Sequence, residues 1–248
     1  MIDDIAVFSE CGTRDVNQDA IYASADKGRG IFVVADGMGG HSGGEVASSA
    51  IVNGIRNWWD STDFTEAEVE IDSVAEQCNS LLLNINAEVF AYFTAQGQVG
   101  GSTVAVLLIW DDRYVILSAG DSRIYRIRGK TLEQLTTDDV WENLPEVKHE
   151  MSNERIECDS RFGKLTEALG SEERLKINRY GGMLSRRELF LLCSDGVYKY
   201  CTYGELEKIM CRKKFFKRAD WVKERIRKCA VKRGVDDNYS AIVCSVRS

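Results

Sequence analysis

The sequence predicts an α+β fold, a central antiparallel β-sandwich flanked by helix pairs (α-β-β-α), with all 248 residues in one domain, 1–248. Three observations lead there. Short apolar runs ending in turn residues dominate the chain. The helical stretches are grouped, in the order strands, two helices, many strands, two helices, strand, which suits layered α+β better than alternating βαβ units. Sheet packed on sheet with helix pairs outside would bury both sets of helical apolar stripes.

The elements follow in order. IAVFSE (5–10), AIYASA (20–25) and GIFVVADG (30–37) read as strands, the last a buried run ending in turn residues. GGEVASSAIVNGIRNWW (43–59) changes to helical period, with Val46, Ala50, Ile55 and Trp58 or Trp59 on one side. After a polar break, Thr65 with Glu68 three residues on resembles a capping box. Val74, Cys78, Leu81, Leu82, Ile85, Val89 and Phe93 then mark the clearest helix, a core stripe that stops at Gly97. Residues 102–110, 113–120, 122–129 and 131–136 read as consecutive antiparallel strands. From about 138 to 163 the periodicity dissolves around the only proline, which predicts a loop-rich or short-helical insertion serving as a mobile lid. Strands at 175–182 and 188–195, helices at 202–211 and 218–234, and a closing strand at 238–246 complete the chain.

Composition narrows the function. Hydrophobic content of 44% and charged content of 29% are those of an ordinary soluble globular chain. No apolar run approaches the ~20 residues that span a bilayer, and MIDDIAVFSECG lacks a basic leader, so a cytoplasmic protein is expected. Eight scattered cysteines with no Cys-x-x-Cys pair, and two histidines, argue against zinc sites and a disulfide framework. A formal charge of −7 argues against nucleic-acid binding. The basic segment 212–233 reads first as a solvated helix face, second as a docking patch for an acidic or phosphorylated partner.

The chemistry-bearing residues are acids at strand ends. Asp36-Gly37 follows IFVVA, Asp195-Gly196 follows ELFLLCS, and Asp237-Asn238 precedes YSAIVCSV. Asp121 stands in SAGDSRIYRI and Asp19 in GTRDVNQDAIY. Singly, each serves as well as a turn or loop residue; Asp237 fits an Asx-turn, and Asp121 a hairpin turn pairing locally with Arg123. Together they predict an oxygen-rich pocket, because a carboxylate at a buried strand end costs several kcal/mol unless it is paired or bound to a cation, and such oxygens suit hard divalent metals.

The ordered set of motifs resembles a known family. GTRDVNQDA (12–20), DGMGGH (36–41), GGSTVAVLLI (100–109), AGDSRIYRI (119–127), LTEALG (165–170), CSDGVY (193–198) and DDNYSAIV (236–243) match the metal-dependent protein phosphatases of the PPM class, the protein-phosphatase-2C-like enzymes, in their bacterial form. The resemblance implies a protein serine/threonine phosphatase with two Mn²⁺ or Mg²⁺ ions and a weaker third. It implies that Asp36 bridges two metals, that Gly37 offers its carbonyl oxygen, and that Asp195 and Asp237 complete the first metal's shell. Asp19 would serve the second metal, Asp121 with Asp195 the third, and Arg14 would clamp the substrate phosphate. Water shared by the two ions would attack phosphorus in line. The insertion at 138–163 corresponds to the family's flap.

Two positions depart from the wider pattern: Gln18 stands where many relatives carry Glu, and Met38 where animal relatives carry a His proposed as general acid. His41 lies nearby as a turn residue or an acid. Expected partners are phosphorylated proteins and a cognate Ser/Thr kinase, and a monomer is expected. A catalytically weak, phosphoprotein-binding module is the alternative, disfavoured by intact Asp36, Asp195 and Asp237. No Cys-x5-Arg loop offers a cysteine nucleophile.

Overall fold

The computed structural model describes residues 1–26, 28–39, 43–64, 69–185, 187–211 and 218–247. Its strands form two antiparallel sheets. One runs β1 (Ile2–Glu10), β11 (Tyr239–Val246), β10 (Glu188–Cys193), β7 (Arg123–Arg128), β8 (Thr131–Gln134). The other runs β2 (Asp19–Asp26), β3 (Arg29–Gly39), β5 (Val104–Trp110), β6 (Arg113–Ala119), β9 (Asn178–Met183), with β4 (Gly100–Ser102) pairing the end of β3.

Period-two alternation explains why the strands read as unbroken apolar runs. In β3, Ile31, Val33 and Ala35 pack beneath α1 (Gly43–Ser61) and α2 (Ile71–Gln96), while Phe32 and Val34 enter the core between the sheets. Phe190, Leu192, Ile242 and Cys244 meet them from the other sheet. On its outer face, Leu189, Leu191, Ala241 and Val243 pack beneath α6 (Tyr203–Met210) and α7 (Arg218–Lys232). Three apolar layers thus lie between the four structural ones. Val74, Leu82, Ile85, Val89 and Phe93 of α2 are buried, at about 2 kcal/mol each, and Gly97 ends the helix in the left-handed conformation at φ 62°.

Several expectations change. The capping box at Thr65 and Glu68 lies outside the described residues, as does His41; α2 begins at Ile71 after an N-cap, Glu70, that makes no side-chain cap bond. The strands over 102–136 are not one meander. β6 pairs with β9 and β7 with β10, so the chain changes sheets at Gly120-Asp121-Ser122. Gly120 turns there at φ 96°, against the Thr103 side chain. Asp36-Gly37 is no turn: β3 stays extended through Gly39 and exchanges β5 for β4 as partner. Asp195 opens a one-turn helix, α5 (Asp195–Tyr198), which the sequence reading had as a strand end.

The insertion carries a 3₁₀ turn (Trp141–Asn143), α3 (Pro145–Glu150) and α4 (Asn153–Glu157). Trp141, Val147 and Ile156 close into a small buried cluster with Leu144 and Met151. Of the basic segment, 212–217 lies outside the described residues. In the rest, Lys223 pairs with Asp220, Arg227 with Glu10 and Arg233 with Glu205, as a solvated helix face would. No helix among the described residues is long and apolar enough to cross a membrane.

Candidate metal centre

Both sheets deliver acids to one end of the sandwich. The register of β2 on β3 sets Asp19 directly opposite Asp36. Like charges so placed repel, and the strands tolerate the pair because the buried β3 run and its neighbours hold the register. From the other sheet, β10 runs out through Ser194 into Asp195, and Asp237 stands two residues before β11. Ser194 joins the sheets: its hydroxyl donates to Asp19 Oδ2 at 2.7 Å, and its backbone N–H donates to the Ser240 carbonyl at 3.1 Å. Asp121 lies in the turn where the chain changes sheets, its Oδ2 accepting the Tyr198 hydroxyl at 2.9 Å.

Neutral side chains hold the backbone around these acids. The Asp36 N–H donates to Thr103 Oγ1 at 3.0 Å, and its carbonyl accepts the Ser102 hydroxyl at 3.0 Å and the Thr103 N–H at 2.9 Å. Thr103 in turn shares a 2.7 Å hydroxyl contact with Ser122, which links the Asp36 strand to the Asp121 turn. Asn238 ties down the loop that carries Arg14. Its Oδ1 accepts the Gln18 N–H at 2.8 Å, and its Nδ2 donates to the carbonyls of Cys11 at 3.1 Å and Val16 at 2.9 Å. Two glycines permit the close packing. A Cβ on Gly37 would lie 2.2 Å from the Gly44 carbonyl oxygen, and one on Gly196 would lie 2.0 Å from that of Asn238.

The acids load one another. Burial, then the charges of Asp19, Asp195 and Asp121, push the Asp36 carboxyl well above the ordinary range, and a hydrogen bond with Asp195 adds to the effect. Burial raises Asp19 to about 6, with Asp195 and Asp237 adding to it and the Ser194 and Ser240 hydroxyls opposing. Burial and the Asp195 charge raise Asp121 to about 6 as well. Desolvation and like charge act in the same direction, as at a site built for cations.

Five predicted acids, Asp19, Asp36, Asp121, Asp195 and Asp237, therefore gather at one end with Gly37. Among the described residues, however, no three acidic, thiol or imidazole groups are set as ligands about one point. The oxygens turn to other partners: Asp195 to Lys199, Asp121 to Tyr198, Asp19 to Ser194 and Asp237 to Arg14. Arg14 is exposed, 3.2 Å from Asp237 Oδ1, with its Nε donating to the Asp236 carbonyl at 3.0 Å. Arg123 does not pair with Asp121, as the hairpin reading had it, but forks onto Asp138.

The residues nonetheless suit a hard divalent ion. The donors are carboxylate and carbonyl oxygens, and Asp19 Oδ1 is buried without a hydrogen-bond partner. Sequence reasoning missed Ser194, Asn238, Tyr198, Lys199 and Asp139, which accepts the Gly120 N–H at 3.0 Å and anchors the insertion's base. Ser194, Tyr198 and Asn238 lie inside the quoted motifs CSDGVY and DDNYSAIV, and Lys199 directly follows the first, so motif membership was the one signal that could have flagged these four.

Known proteins resemble this chain in sequence and in fold. A sequence model described as protein phosphatase 2C matches residues 10–235. The serine/threonine phosphatase stp of Listeria innocua is 28% identical over 205 residues, covering 81% of this chain and 80% of its own length. A solved structure of PppA, described as a key regulatory component of T6SS in Pseudomonas aeruginosa, is 28% identical and superimposes with a TM-score of 0.81 over 98% of each chain. The catalytic domain of the serine/threonine protein phosphatase PstP, solved in complex with two manganese ions, shares the fold at a TM-score of 0.80, with 22% identity over 98% of each chain.

Proposed function

The chain belongs to the protein phosphatase 2C family, as a phosphoprotein phosphatase of the bacterial type, and from that premise we propose that it hydrolyses phosphoserine and phosphothreonine at a centre of two Mn²⁺ or Mg²⁺ ions. The observation that carries the reading is the convergence of Asp19, Asp36, Asp121 and Asp195 from two sheets, each of the first three held above its ordinary pKa by burial and by the others' charge.

Asp36, Asp195 and Asp237 with the Gly37 carbonyl would hold one ion, and Asp36 with Asp19 the other. Bound there, a pair of divalent cations supplies charge neutralisation at the phosphoryl oxygens and water acidified toward neutral pH. The chain's own part is placement. Thr103, Ser102 and Ser194 fix the backbone of Asp36 and the carboxylate of Asp19, so little is left to reorganise when charge develops. Arg14 presents a planar donor fork on the exposed rim, suited to two oxygens of a phosphate. Two of its five donors are engaged by Asp236 and Asp237, which holds the guanidinium beside Asp237 and leaves three donors for a phosphate. The insertion, held to the Asp121 turn through Asp139, stands where a bound protein would touch it, so it is expected to select substrates rather than to react with them. Phosphorylated proteins are the substrates, and a Ser/Thr kinase acting on the same proteins is the opposing partner.

The test compares p-nitrophenyl phosphate and a phosphothreonine peptide, each with Mn²⁺, with EDTA, and with Asp195→Ala. Turnover of both that EDTA and Asp195→Ala abolish is expected. Turnover indifferent to chelator and substitution would contradict the two-ion mechanism, and peptide binding without turnover would favour a phosphoprotein-binding module.

A further inference from the structure

We propose that Lys199 takes the place of a third cation, its ammonium neutralising the acid pair Asp121–Asp195 so that the centre takes up two divalent ions. The proposal rests on the metal-centre reading above and settles its ion count.

The geometry comes from α5. The Lys199 N–H donates to the Asp195 carbonyl at 2.9 Å and closes a single helical turn. Side chains four apart lie over one another on a helix, and the Lys199 ammonium accordingly sits on Asp195 Oδ2. The preceding residue serves the other acid, Tyr198 donating its hydroxyl to Asp121 Oδ2. Each member of the pair thus has one oxygen engaged by a group on this turn, the two groups being adjacent in sequence.

The turn is fixed in place. Gly196 leaves no room toward the Asn238 carbonyl, and Val197 and Cys201 are fully buried. The Arg123 guanidinium lies 3.5 Å over the Tyr198 ring while its nitrogens fork onto Asp138, so the ring is clamped as well. A divalent ion seeking Asp121 and Asp195 would have to share them with the ammonium and the phenol or displace one of the two, beside two ions already bound. Like charges at about 4 Å in a partly solvated setting cost enough to weaken such an ion tenfold or more.

The test counts ions directly. The full chain, stripped with chelator, is titrated with Mn²⁺ and free Mn²⁺ is followed by electron paramagnetic resonance. Wild type, Lys199→Arg and Lys199→Gln are compared. Two bound ions are expected for the wild type and for Lys199→Arg, which keeps the charge. Lys199→Gln is expected to gain a third, at least about tenfold tighter than any third ion of the wild type. Three ions of equal affinity in all three proteins would overturn the proposal and leave the metal centre standing. Unchanged ion counts with a raised KM for phosphopeptide in Lys199→Gln would also overturn it, and would make Lys199 a phosphate contact. No bound ion in any of them would overturn the metal-centre reading and this proposal with it.

Discussion

Replacing Asn238 by alanine should unfasten the Arg14 loop without touching a proposed ligand. The side chain is 7% exposed and makes three hydrogen bonds to backbone, with the Gln18 N–H and the Cys11 and Val16 carbonyls. They are not equal losses. The Cys11 carbonyl keeps the Arg14 N–H at 3.1 Å and loses little. The Gln18 N–H and the Val16 carbonyl lose the Asn238 partner at a part-buried place, at roughly 1 kcal/mol or more each. A total of about 2–3 kcal/mol follows, the lower end if water reaches the loop. Urea denaturation of the metal-free protein should show the midpoint falling with the slope unchanged. Because the loop carries Arg14 and leads into Asp19, kcat/KM for a phosphopeptide should fall as well, mainly through KM. A loss under about 0.5 kcal/mol with unchanged kinetics would refute the clamp, since it would put the bonds in the range of exposed, solvent-compensated ones.

Other expectations concern charge. Arg126→Ala should destabilise the fold by about 3 kcal/mol while leaving Mn²⁺ affinity unchanged. It strips Glu188, whose side chain is fully buried, of one of two arginines, at the end of β10 opposite Asp195. Chemical denaturation with parallel Mn²⁺ calorimetry checks it, and an equal loss of metal affinity would contradict it. Asp19 and Asp121, raised in the fold from 3.8 to about 6, stabilise the metal-free protein below pH 4 and lose that contribution as pH rises through 6. Mn²⁺ uptake near pH 6 should therefore release protons, and affinity should climb between pH 5 and 7. Calorimetry in buffers of different ionisation enthalpy reads the release, and none at pH 6 would contradict the assigned ligands.

The fold was legible wherever one physical pattern ran for many residues. The α2 stripe has only one reading at 3.6-residue spacing. The β3 run IFVVA reads as a strand buried on both faces, as Phe32 and Val34 on one face and Ile31, Val33 and Ala35 on the other bear out. Sheet membership was not legible. β6 and β7 look like a hairpin because a tight glycine turn joins them, and the switch at Gly120 depends on contact with Thr103, seventeen positions earlier. The insertion's order was hidden for a similar reason: three apolar residues spaced over sixteen positions show no period, yet Trp141, Val147 and Ile156 meet.

The candidate site divides the same way. Its acids announce themselves, since charge beside a buried strand is rare enough to notice. The groups that hold them do not. Ser194 and Asp19 are 175 residues apart, and Asn238 and Gln18 are 220 apart. A serine after a strand or an asparagine before one reads as ordinary turn chemistry until the sheets are assembled. Lys199 was hidden by the missing turn: with Asp195 taken as the end of a strand, nothing placed position 199 above it, and only the helical closure of α5 does so.

Anomalous diffraction from a crystal grown in manganese tests the centre most directly. The account predicts two peaks ~3.5–4 Å apart, with an Asp36 oxygen between them, Asp195 and Asp237 against one and Asp19 beside the other. Peaks elsewhere on the surface, with the space among those aspartates bare, would contradict it.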